Sequence, residues 1–169
     1  MTIKQIGECK IYEGYLHYVD ILGLQSLAEN DLEFVQYGTI PAMLVPVFGD
    51  LQRKNFLHDS RELAYIINDM MQIEQEHNFN IAFIRRVPED GEGWKMWPSN
   101  NLGSVLITPV GDFSGGVINV DGRRIALKAG DVLVMPGHNP GQLSPPFMIE
   151  PPEDGMMYLL TIHNMDITI

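Results

Sequence analysis

From residue 79 to 163 the chain is a succession of short apolar runs bounded by turn residues: "NIAFIRRV", "GSVLITPV", "GGVINV", "RRIAL", "DVLVMP", "FMIE" and "MMYLLTIHN". Runs of this length and spacing are strands of an antiparallel sandwich or barrel. Between two of them "VDGR" predicts a tight hairpin, because Asp and Gly tolerate the positive φ of a two-residue turn. One stretch changes the period. In "DSRELAYIINDMMQIEQEHN", Leu63, Ile66, Ile67, Met70, Met71 and Ile73 recur at helical spacing, and Asp59 with Glu62 has the spacing of a capping box, so a helix is predicted over 60–77. Residues 1–57 alternate runs such as "LEFVQYGTI" and "AMLVPVFG" with Gly and Pro, which predicts an N-terminal β/loop segment. That segment supplies either further barrel strands or an arm pairing with a neighbouring subunit. The expected architecture is a single domain over 1–169, mainly β with one long helix (α+β), the helix packed on a jelly-roll-like core.

Composition narrows what such a domain can do. At 169 residues, 45% hydrophobic and 20% charged, the chain is long enough for one real core and too short for two. Its net charge of −11 comes from 22 acids against 11 bases, and repulsion would oppose approach to a phosphate backbone, so no nucleic-acid partner is expected. A single cysteine, Cys9, excludes an internal disulfide framework and a multi-cysteine zinc site. The N-terminal "MTIKQIGECKIYEGY" lacks the apolar core of a signal peptide, and no window approaches the roughly 18 apolar residues that span a bilayer. A soluble protein is expected, with no membrane partner, either cytoplasmic or part of a particle assembled inside the cell. The ten methionines mark adaptable packing, in the core or on a binding face.

Motif chemistry is sparse. There is no Gly-x-Ser-x-Gly elbow and no phosphate-cradling glycine loop. The acidic "PEDGEG" and "PPEDG" stretches read as solvated turns with, at most, a weak pull on a cation. Arg85-Arg86 and Arg123-Arg124 are placed to pair with acids across strands, or with a carboxylate ligand.

In "NIAFIRRVPEDGEG" followed by "LGSVLITPVGDFSGGVINVDGRRIALKAGDVLVMP", the order, spacing and glycines resemble the 2-oxoglutarate and iron(II)-dependent oxygenases, in particular their prolyl-hydroxylase-like branch. The resemblance implies a double-stranded β-helix, the cupin-like jelly roll, over 79–163. Cupins share a similar phrase, so these landmarks report the barrel rather than a chemistry.

In that family, iron is held by two histidines and one carboxylate, and a basic residue near the last strand grips 2-oxoglutarate. The first histidine and acid would stand in "GWKMWPSNN", which contains neither. No His-x-acid triplet occurs elsewhere: His17, His58, His77, His138 and His163 are followed two places on by Val19, Ser60, Phe79, Pro140 and Met165. "FMIEPPEDGMMY" lies on the distal pattern through Ile149, Pro151, Gly155 and Tyr158, which puts Phe147 at the second histidine and Met157 at the basic residue. The resemblance therefore implies the scaffold without catalytic residues, and neither Fe(II) nor 2-oxoglutarate is expected as a cofactor.

His138 is the remaining metal candidate. It would serve if 139–146 were an insertion, with Asp112 or Glu92 lending a carboxylate; otherwise it is a loop histidine with a solvent or backbone partner. His58-Asp59 stands at the predicted helix start, where Asp59 is better explained as the cap. Trp94, Met96 and Trp97 fall where a metal site would open, and either plug the barrel mouth or form a contact patch for another protein. Three readings follow. The first is a non-catalytic pseudoenzyme acting in assembly or protein recognition, with protein partners or self-association as a homo-oligomer. The second is an active 2-oxoglutarate/Fe(II)-dependent hydroxylase with displaced ligands. The third is a cupin-like small-ligand binder using His138 and the arginines. The missing ligands favour the first.

Overall fold

The computed structural model describes residues 2–30, 42–46, 66, 69–74, 81–97, 101–139 and 141–165. In chain order these form β1 (Thr2–Ile6), β2 (Cys9–Glu13), α1 (Tyr18–Asn30), β3 (Ala42–Pro46), β4 (Ile81–Arg86), β5 (Glu92–Lys95), β6 (Asn101–Val110) and β7 (Phe113–Ser114). They continue as β8 (Gly116–Val120), β9 (Arg123–Leu127), β10 (Val132–Pro136), β11 (Phe147–Glu150), β12 (Asp154–Gly155) and β13 (Tyr158–Met165). One sheet has the order β1-β2-β10-β6-β13-β4-β3, a second the order β5-β11-β8-β9, and β12 pairs with β7.

Alternation decides which sheet faces what. In β8 every second residue is buried, so Ile118 and Val120 turn inward. In β10, Val132 through Met135 are all buried: Val132 and Val134 point to one apolar cluster, Leu133 and Met135 to another. The second cluster joins Ile107, Leu133 and Leu159 of the seven-stranded sheet to Ile118, Ile125 and Ile149 of the four-stranded one, so it fills the space between the sheets. The first covers the opposite face of the larger sheet, where Leu24 and Ala28 of α1 pack. The expected hairpin is present: Val120 pairs with Arg123, and Asp121 and Gly122 adopt φ of 51° and 88°.

The N-terminal segment extends the larger sheet within the same chain, β1 and β2 beyond β10 and β3 beyond β4. It also holds α1, where strands and loops were expected. Tyr18, Val19 and Leu22 are exposed while Leu24 and Ala28 are buried, so apolar residues lie on both sides of this helix, and Gly23, a poor helix former, sits within it. The helical period is thereby hidden. Of the helix predicted over 60–77, Ile66, Asp69 and Met70 are helical and Met71–Glu74 form a 3-10 turn, with Ile66 and Met70 buried in the helix-side cluster. Its predicted cap, Asp59 with Glu62, lies outside the described residues, as do His58, Leu63 and Ile67. Among the described residues no helix is long and apolar enough to cross a membrane.

Candidate functional site

The barrel mouth is built by β5 and β11, which pair antiparallel with Phe147 opposite Lys95 and Ile149 opposite Glu92. Phe147 opens β11 and points inward, fully buried. Trp97 follows β5 and turns in over it, their ring centroids 4.4 Å apart and tilted by 34°. Met157, fully buried before β13, joins the same cluster, and its carbonyl accepts a 2.9 Å hydrogen bond from the Val87 amide. Gly116 makes room for it: a Cβ there would stand 2.7 Å from the Phe113 ring and 3.1 Å from the Met157 sulfur.

One indole, one phenyl ring and a thioether offer Fe(II) no firm donor and, among themselves, a carboxylate no cation. Among the described residues no group of three His, Cys, Asp or Glu is placed to hold a metal ion. Trp97, Phe147 and Met157, which stand where the resemblance calls for the iron and 2-oxoglutarate ligands, fit neither group, and no chemical step is derived through either.

The alternative donors are not brought together. His138 Nε2 lies 2.7 Å from the Trp97 carbonyl, and its Nδ1 accepts a 3.3 Å hydrogen bond from the Ser144 amide. Both ring nitrogens of a neutral imidazole are thus occupied, the first donating and the second accepting. Its backbone also bonds Asn101 and Gly103, so His138 ties the 97–103 and 138–144 segments together. Asp112 is exposed in the turn between β6 and β7, and Glu92 is engaged elsewhere. Of the three residues expected at the mouth, Trp97 is 7% exposed and plugs it, whereas Trp94 and Met96 face outward at 55% and 41%. Trp94 lies in β5, while Met96 and Trp97 follow its end, where the chain turns Trp97 inward.

Two polar features stand beside the Trp97–Phe147 stack; sequence reasoning expected Arg85 to pair with an acid but named neither its partner nor the burial of His163. Glu92 is buried and accepts a bidentate pair from Arg85, 2.9 Å from both Nε and Nη2, together with a contact from Lys95 Nζ. Burial alone would raise the Glu92 carboxyl, but the Arg85 and Lys95 hydrogen bonds and charges hold it below the ordinary carboxylate value. Burial lowers the Lys95 ammonium, and Arg85's like charge adds to that against the opposing pull of Glu92.

The second is His163 of β13, buried, with Nε2 2.7 Å from the Thr161 hydroxyl and no hydrogen bond at Nδ1. Its ring meets Phe83 and Trp97 edge-on, at 5.4 and 5.1 Å. Burial, reinforced by the Arg85 charge, pushes its pKa down to about 3. The signal was in the alternation: Leu159, Thr161 and His163 share one face of β13, with Arg85 opposite Leu159.

Two antiparallel sheets with interleaved strands, closed over a common interior, define a double-stranded β-helix. Solved 2-oxoglutarate/Fe(II) oxygenases have this fold. A viral collagen prolyl hydroxylase from Paramecium Bursaria Chlorella virus-1 aligns with a TM-score of 0.64 at 10% identity, over 95% of this chain and 97% of that one. A Pseudomonas putida prolyl-4-hydroxylase gives 0.61 at 13% identity, over 94% and 93%. A Trichoplax adhaerens prolyl hydroxylase gives 0.63 at 10%, over 94% and 84%. No protein-family model matches the sequence, and no curated protein matches it.

Proposed function

We propose that the chain is a non-catalytic double-stranded β-helix protein of oxygenase ancestry, acting in assembly or protein recognition. The observation that carries this reading is the Trp97–Phe147 stack, buried where the resemblance calls for iron ligands. Aromatic packing at 4.4 Å leaves no space between the rings for a hydrated ion, and opening it would expose large apolar surfaces. Use on proteins accords with the company the fold keeps. The viral neighbour is named a collagen prolyl hydroxylase, and the Trichoplax one was solved with a hypoxia inducible factor peptide fragment. A barrel that meets protein segments can keep that use without the chemistry.

The test is metal analysis of protein purified without chelator, followed by titration with Fe(II) and 2-oxoglutarate while thermal stability is read. A ligand that prefers the folded state raises the melting temperature by mass action. The expected result is no stoichiometric iron and no iron-dependent stabilisation by 2-oxoglutarate. One iron per chain, with 2-oxoglutarate adding an iron-dependent rise, would overturn the reading in favour of a hydroxylase.

A further inference from the structure

At the barrel mouth two cations share one carboxylate. Arg85 spends its fork on both oxygens of Glu92, and Lys95 reaches the same carboxylate while lying 5.6 Å above the Phe147 ring. The group is mostly withdrawn from water, with Glu92 and Arg85 side chains 6% and 14% exposed and Lys95 38%. It therefore holds surplus positive charge in a chain whose net charge is −11. Unbalanced charge in a poorly hydrated place attracts a counter-charge strongly. The cluster opens on a cleft of about 560 Å³ lined also by Pro88 and the exposed Trp94.

The backbone beside it is equally unfinished. β5 stands at the end of its sheet with β11 on one side, and no described strand pairs with the other. An edge strand presents free amides and carbonyls to any extended chain that comes alongside.

We infer that β5 and this cleft receive an extended segment of a partner protein that carries a carboxylate. The segment's main chain pairs along the edge of β5 that no described strand occupies, its carboxylate balances Arg85 and Lys95, and a neighbouring apolar side chain lies on Trp94. A free small carboxylate would use the charge but neither the edge nor the indole. The inference rests on the protein-recognition reading and gives it a place and a partner chemistry.

The experiment titrates the full chain, with EDTA present, against a short capped Thr/Val peptide bearing one central glutamate, its glutamine counterpart, and succinate. Tryptophan fluorescence reports binding, since Trp94 lines the cleft. The glutamate peptide should bind about tenfold or more tightly than the glutamine one, as a charged hydrogen bond into a partly buried site implies. Lys95→Met should remove that preference, with a thermal melt confirming that the variant folds. Equal binding of the two peptides, no binding of either, or succinate binding as tightly as the glutamate peptide would each overturn the inference. Because iron is chelated throughout, failure here leaves the inert barrel standing. Iron-dependent binding of 2-oxoglutarate would sink the non-catalytic reading whatever the peptides do.

Discussion

The central strands of the seven-stranded sheet, β10, β6, β13 and β4, bury both of their faces, and the two are filled differently. Toward α1, β4, β6 and β13 present Ala82, Ile84, Leu106, Val110, Leu160 and Ile162, with Thr108 as a buried polar member whose hydroxyl donates to the Asp131 carbonyl. The alternate positions on those strands, toward the four-stranded sheet, set Arg85, Thr161 and His163 beside Ile107 and Leu159. The helix side asks mainly for volume and shape, and the buried Thr108 hydroxyl there is bonded. The barrel side carries polar groups whose burial is costly unless they are bonded, and two aromatic rings are laid beside them. A face chosen for packing alone would not contain His163 with an unbonded Nδ1. The polar interior and its apolar stopper are therefore separate features.

The sharpest way to break this contrast is to ask whether the stopper is packed as a core. Phe147→Ala should destabilise the fold by about 3–5 kcal/mol in urea unfolding, as much as Leu160→Ala on the helix side or more. A loss under about 1 kcal/mol would show a loosely filled mouth that a ligand could enter.

Next in size is the ion cluster. Glu92→Gln leaves Arg85 and Lys95 facing one another without a counter-charge and should lower stability by about 3 kcal/mol, the lower end for a broken buried pair because Lys95 is partly open to water. Replacing Arg85 as well, in Arg85→Met/Glu92→Gln, should return much of the loss. If it does not, the cluster's role is packing rather than charge.

The smallest effect is confined to acid. His163 titrates near 3 in the fold and near 6.5 when unfolded, so the unfolded chain binds the proton first as pH falls. Its contribution is complete above the unfolded value and is lost downward from there, by about 1.4 kcal/mol per pH unit. Glu92, with a lowered pKa, stays ionised over pH 7 to 5 and does not confuse the slope. Denaturation across that range should show the decline in the native chain and a flatter profile in His163→Leu. Equal slopes would refute a buried neutral imidazole.

Much of the barrel is legible in the sequence because its signals are local. Asp121-Gly122 names its own turn, and the alternating β8 names its buried face. Phe147 and Met157 are placed only by the resemblance, through the landmarks Ile149, Pro151, Gly155 and Tyr158, and both side chains are buried. What stays hidden depends on distance. That Glu92 answers Arg85 requires β4 to turn back at Pro88 and Gly91, and that Trp97 lies on Phe147 requires β5 to pair with β11, some fifty residues on. α1 is hidden for another reason, its exposed Tyr18, Val19 and Leu22 erasing the stripe by which a helix is known.

Asp131 has a consequence of a different kind. One carboxylate oxygen accepts the Gly14 amide, 117 residues away, and the other the Lys128 amide, while its carbonyl takes the Thr108 hydroxyl. Beside it, β2 pairs with β10, so the β1–β2 hairpin finds its neighbour only once the distant β10 has emerged from the ribosome. Ladders of such separation form slowly, because a large loop must close before any contact repays it. During synthesis the β1–β2 hairpin waits with an unsatisfied edge, and this is the interval in which the protein is most exposed to mispairing or to a chaperone.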